Sequence, residues 1–145
     1  MLFRSEECPG VKNPTIGMEY GKPYHFIQKD RSNWYHPMGF AYFPDGAHSD
    51  ADELEPGITQ TGSDCVSNNT CPTPLYFRDG TFLGDTLDKS NFGLDVYEPE
   101  FFLGIATWSG NGEYSVMLTF DDEAYRNDIF YFCHVRSLLS ESLTC

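Results

Sequence analysis

Five cysteines and four histidines are the side chains of this 145-residue chain best suited to hold a metal or attack a substrate. The cysteine count is odd, so pairing leaves one over, as a metal ligand or as a thiol. Cys133 is the residue of interest, because it ends the apolar run Ile129-Phe130-Tyr131-Phe132-Cys133 at a strand-to-loop junction, where chemistry concentrates. Its bland alternatives are a buried structural thiol or a disulfide to Cys8 or Cys145. Cys65 and Cys71 enclose Val66-Ser67-Asn68-Asn69-Thr70, a spacing that predicts a small disulfide loop and an oxidising compartment. In the same loop Asn68-Asn69-Thr70 fits the N-glycosylation pattern, with Asn68 as the acceptor.

Other chemistries lack the residues they need. The sequence holds no Ser-His-Asp order, no phosphate-binding glycine loop and no zinc-type cysteine pair. The acidic stretch Asp45, Asp50, Asp52, Glu53 and Glu55 misses EF-hand spacing, with Leu54 where an acidic ligand belongs, and reads as a solvated loop. His25 and His48 read as surface or edge residues.

The elements that must position such groups are strands. Aromatic residues make up 16% of the chain, and 13 Gly and 9 Pro accompany them, which favours short strands joined by turns over a helical bundle. Ile16 to Phe43 alternates apolar and polar residues between breaks at Gly21, Pro23 and Pro37, predicting two or three half-buried strands. Trp34, Tyr35, Phe40, Tyr42 and Phe43 are expected in the core rather than on a binding surface. Residues 44–74 are polar and turn-rich and read as a long surface excursion. Asp79-Gly80, between Leu75-Tyr76-Phe77-Arg78 and Thr81-Phe82-Leu83, predicts a tight hairpin. Glu113 to Phe120 alternates cleanly, with Tyr114, Val116, Leu118 and Phe120 on one face. The run ending at Cys133 suits a strand buried in a sandwich core, and helix is expected to be minor. The expected fold is all-β, a Greek-key sandwich forming one domain over 1–145, with the disulfide loop as an insertion.

A formal net charge of −13 repels phosphate backbones and anionic lipid heads, which argues against nucleic-acid and membrane-surface partners. It suits an acidic electron-transfer or cation-binding surface. No stretch approaches the roughly 20 apolar residues of a membrane span. Residues 1–7 lack the apolar run of a signal peptide, so the chain as given reads as soluble, without its own secretory signal.

Two segments then resemble the cupredoxin, or blue copper, superfamily. Ser32-Asn33-Trp34-Tyr35-His36-Pro37-Met38-Gly39-Phe40 looks like the family's His-Pro segment, and Asp128-Ile129-Phe130-Tyr131-Phe132-Cys133-His134-Val135 looks like its strand entering the cysteine loop. A blue copper site takes a thiolate, two imidazoles and a weak axial sulfur. The resemblance implies Cys133 as the thiolate and His36 as the first imidazole, against the plainer reading of His36 as a turn residue. His134 is a substitute second ligand only if the strand has ended by then, since consecutive strand residues face opposite ways.

The chain departs from the family after Cys133, where a second His and commonly a Met are expected and Arg136, Leu138 and Leu139 stand instead. The 12 residues after Cys133 are too few for both a ligand loop and a full final strand, and Arg136 to Cys145 reads unlike either, as in a truncated or altered C-terminus. Gly39, Ala41 and Phe132 occupy positions where multicopper oxidases place further histidines, so oxygen reduction is not expected. The expectation is a domain holding one type 1 copper for electron transfer to a redox partner, in an extracellular or secretory lumenal compartment. The alternative is a metal-free extracellular interaction or structural module on the same sandwich.

Overall fold

The computed structural model describes residues 15–41, 54, 74–83, 93–120 and 128–133. Six strands and two short helices follow in order: β1 (Tyr24–Gln28), β2 (Met38–Ala41), β3 (Leu75–Arg78), β4 (Thr81–Phe82), α1 (Gly93–Glu100), α2 (Ile105–Gly110), β5 (Tyr114–Leu118) and β6 (Phe130–Cys133). Every strand pairing is antiparallel. Strands in antiparallel sheets thus outnumber helices among the described elements, an arrangement compatible with a β-sandwich.

The first sheet runs β1-β5-β3-β4 and the second pairs β2 with β6. β5 lies inside the first sheet, where its alternation puts Tyr114, Val116 and Leu118 into the core at no more than 1% exposure. Register aligns Phe26, Val116 and Tyr76 across three strands, so one face of this sheet is continuously apolar. Asp79 (φ 48°) and Gly80 (φ 74°) form the β3–β4 turn, and these two left-handed residues match the strand twist of a two-residue hairpin as the sequence predicts.

The helices come from a segment where strand alternation fails. Leu94, Tyr97 and Phe101 recur at i, i+3 and i+7, and all three are buried on one face. Gly93 begins α1 against Tyr76, where any β-carbon would strike the ring, so this approach of helix to sheet demands glycine. Tyr97 meets Tyr76 and Phe101 at ring-centroid distances of 4.9 Å each, and Trp108 of α2 stacks parallel on Tyr114 at 5.4 Å. At the rim the Glu100 carboxylate accepts hydrogen bonds from Arg78, Asn111 and Tyr114, tying α1 to the first sheet.

The chain passes twice from the first sheet to the second, from β1 to β2 and from β5 to β6. Because β1 and β5 are neighbours in one sheet, their successors are paired in the other. Phe26 of β1 meets Phe40 of β2 edge to face at 5.1 Å, which joins the two sheets.

Three expectations need correction. β6 is half-buried along its length rather than a core strand, since β2 is its one partner among the described residues. Leu54 lies in the stretch read as a surface excursion, yet it is 1% exposed and its backbone N–H donates to Phe40 O at 2.9 Å, because an isolated leucine in a polar segment still gains by burial. Of the aromatics assigned to the core, Phe40 is buried and Trp34 half-buried, whereas Tyr35 is 46% exposed. Tyr42, Phe43, Cys65, Cys71 and Asn68 lie outside the described residues. No helix among the described residues is long and apolar enough to cross a membrane.

Candidate functional site

The first crossing, residues 29–37, is built to place His36. Asp30 caps a 3-10 turn over Arg31–Asn33, its carboxylate accepting from Ser32 N at 2.8 Å, a bond that holds the Asp30 carboxyl below its ordinary pKa. His36 N donates to Asn33 O at 2.9 Å and closes a second turn. Tyr35 between them takes a left-handed φ of 71°, a conformation costing a tyrosine about 1–2 kcal/mol. Aromatic contacts hold it there: its ring packs edge to face on Trp34 at 4.9 Å and Phe102 at 5.0 Å, and Trp34 Nε1 donates to Leu103 O at 2.9 Å. Pro37 then favours extended backbone at His36 and leads into β2.

The second crossing delivers Cys133. Pairing of β2 with β6 sets Met38 opposite Cys133 and Phe40 opposite Tyr131. Met38 N donates to the Gln28 side chain and Phe40 O accepts from Leu54 N, so these β2 groups point away from β6. Met38 and Cys133 therefore form a non-hydrogen-bonded pair, the kind whose β-carbons lie closest, at roughly 4.5–5.5 Å. His36, two residues before Met38, falls diagonally across from Cys133.

His36 Nδ1 lies 3.3 Å from Cys133 Sγ, although 97 residues separate them. Both residues are partly buried. Desolvation lowers the His36 pKa, which favours the neutral imidazole that ligates metals. With about 2.3 Å to sulfur and about 2.0 Å to nitrogen, two donors of a tetrahedral site stand roughly 3.5 Å apart. The observed 3.3 Å separation is close to that edge, and it equally suits a hydrogen bond between the thiol and the imidazole. Met38 adds a soft thioether on the same face.

Among the described residues, no group of three or more His, Cys, Asp and Glu side chains gathers as a metal cluster. His134, the second imidazole candidate, lies outside the described residues, as does His48; His25 is exposed on β1, as expected. Sequence reading passed over Met38 as a donor and Gln28 as a partner. For Met38 the signal was its place in His36-Pro37-Met38; for Gln28 it was only a polar residue at the inward position that follows Tyr24 and Phe26.

No protein-family model, curated protein or solved structure matches the chain.

Proposed function

We propose that this chain is a cupredoxin-like Greek-key domain in which Cys133 and His36 serve as thiolate and imidazole ligands of a single copper ion, for electron transfer to a redox partner. The observation carrying this reading is the 3.3 Å approach of His36 Nδ1 to Cys133 Sγ, joining the two residues that the resemblance pairs. Copper in such a setting supplies one-electron chemistry. The protein's part is to hold the donors: His36 through the 29–37 turns, Cys133 through the β2–β6 register, and Met38 as a soft group on the same face. His134 is the proposed second imidazole.

The absence of a third His, Cys, Asp or Glu beside the pair among the described residues favours a second reading, a metal-free extracellular module in which His36 and Cys133 are a structural contact. Visible absorption with metal analysis separates the two. One equivalent of Cu(II) added to reduced protein should give an intense thiolate-to-copper band that Cys133→Ser abolishes. A colourless protein without bound copper would support the metal-free module.

A further inference from the structure

Gln28, the last residue of β1, is 3% exposed and reaches across to the His36 segment. Its Nε2 donates to His36 O at 2.6 Å, and its Oε1 accepts from Met38 N at 2.9 Å and from the Tyr97 hydroxyl at 3.0 Å. The amide orientation is fixed by chemistry, because a carbonyl accepts only and a backbone N–H donates only. The two backbone bonds bracket Pro37, which has no N–H of its own. One side chain thus satisfies the outward edge of β2 at Met38 and fixes the carbonyl of His36, while β6 holds the opposite edge and brings Cys133. Glutamine suits this place because donor and acceptor sit on one planar group: leucine supplies neither, and a carboxylate would set an oxygen against His36 O.

We propose that Gln28, buttressed by Tyr97, is the positioning residue that sets the imidazole of His36 against the thiol of Cys133. This rests on the reading of the pair as a metal site, but the placement itself is a property of the metal-free chain. An outer group of this kind typically changes metal affinity about 10–100-fold when removed.

The test compares Gln28→Leu with Trp108→Phe in the 145-residue chain, since Trp108 is buried on α2 with its ring against Phe101 and Tyr114. Two readouts are taken: the nuclear Overhauser contact between the His36 ring and the Cys133 β-protons without metal, and Cu(II) affinity with the energy of its thiolate band. In Gln28→Leu the contact should vanish, copper affinity should fall about tenfold or more, and the band should shift. Trp108→Phe should preserve all three even where its melting temperature falls further, and Gln28→Glu, which keeps the Oε1 acceptor, should fall between. A folded Gln28→Leu with the wild-type contact and band overturns the proposal, as does an equal change in Trp108→Phe. Should wild type take up no copper while the contact is lost in Gln28→Leu alone, the metal reading falls and the positioning role stands.

Discussion

Around Tyr97 the rings of Tyr76, Phe101, Trp108 and Tyr114 are no more than 2% exposed, and each touches at least one other at stacking or edge distance. Around His36 the packing is looser: His36 and Cys133 are partly buried, Tyr35 is exposed, and the segment is held by hydrogen bonds that Asp30 and Asn33 accept, that Trp34 donates, and that the Gln28 amide both donates and accepts. The first region is stabilised by area removed from water, which is non-directional and tolerates small shifts. The second depends on directional bonds, which fix where a donor atom sits while contributing only about 1 kcal/mol apiece. Tyr97 belongs to both, since its ring lies in the aromatic cluster and its hydroxyl donates to Gln28. The part of the molecule that contributes most stability is therefore not the part that sets the site.

The contrast breaks most visibly at Trp108. Trp108→Ala should destabilise the fold by about 3–5 kcal/mol in urea denaturation while leaving the His36–Cys133 contact intact in the folded fraction. Trp108→Phe should cost much less, because the buried indole N–H finds no hydrogen-bond acceptor among the described residues, and its removal relieves an unmet polar group. A Trp108→Ala protein that keeps wild-type stability would remove the aromatic cluster from its stabilising role.

Alkaline pH probes the same region. Burial raises the phenol pKa values of Tyr97, Tyr114 and Tyr131, that of Tyr97 most strongly. The folded chain holds these protons more tightly than the unfolded chain, whose tyrosines ionise near pH 10. Their contribution to stability is present in full below that value and is lost as the pH climbs toward the folded pKa values. The urea midpoint should fall above about pH 10, and Tyr97→Phe should flatten that fall. An equally steep fall in Tyr97→Phe would assign the alkaline transition to other groups.

Much of this architecture is written in local sequence. Asp79-Gly80 names its own turn, and Glu113 to Phe120 alternates because one face of β5 meets the core. α1 was hidden because Leu94, Tyr97 and Phe101 cover barely two turns, with Pro99 inside the helix and a glycine at its start. The burial of Leu54 and the half-exposure of β6 were illegible for another reason, since both follow from which strands neighbour them in space. The site was legible in its two ends, His36 and Cys133, through their resemblance to a known pattern. Its support was not, because Gln28 at the end of an alternating strand carries no signal beyond being polar where an apolar residue is expected.

Smaller substitutions sharpen the contrast from the other side. Met38→Leu preserves volume and should change stability by less than about 1.5 kcal/mol, yet it should alter the copper band, since leucine lacks the sulfur opposite Cys133. An unchanged band would exclude the thioether from the site. Arg78→Ala removes a 2.9 Å ion pair from a part-exposed arginine, and Glu100 keeps its bonds from Asn111 and Tyr114. The loss should be at most about 1 kcal/mol and smaller in high salt, with no change at the site.

The most direct measurement is a double-mutant cycle on copper affinity with His36→Ala, Cys133→Ser and the combined variant, each checked for folding by circular dichroism. Two ligands of one ion act together, so the double variant should lose little more affinity than the worse single one. Losses that add in full, or single variants that bind as wild type does, would contradict a shared site.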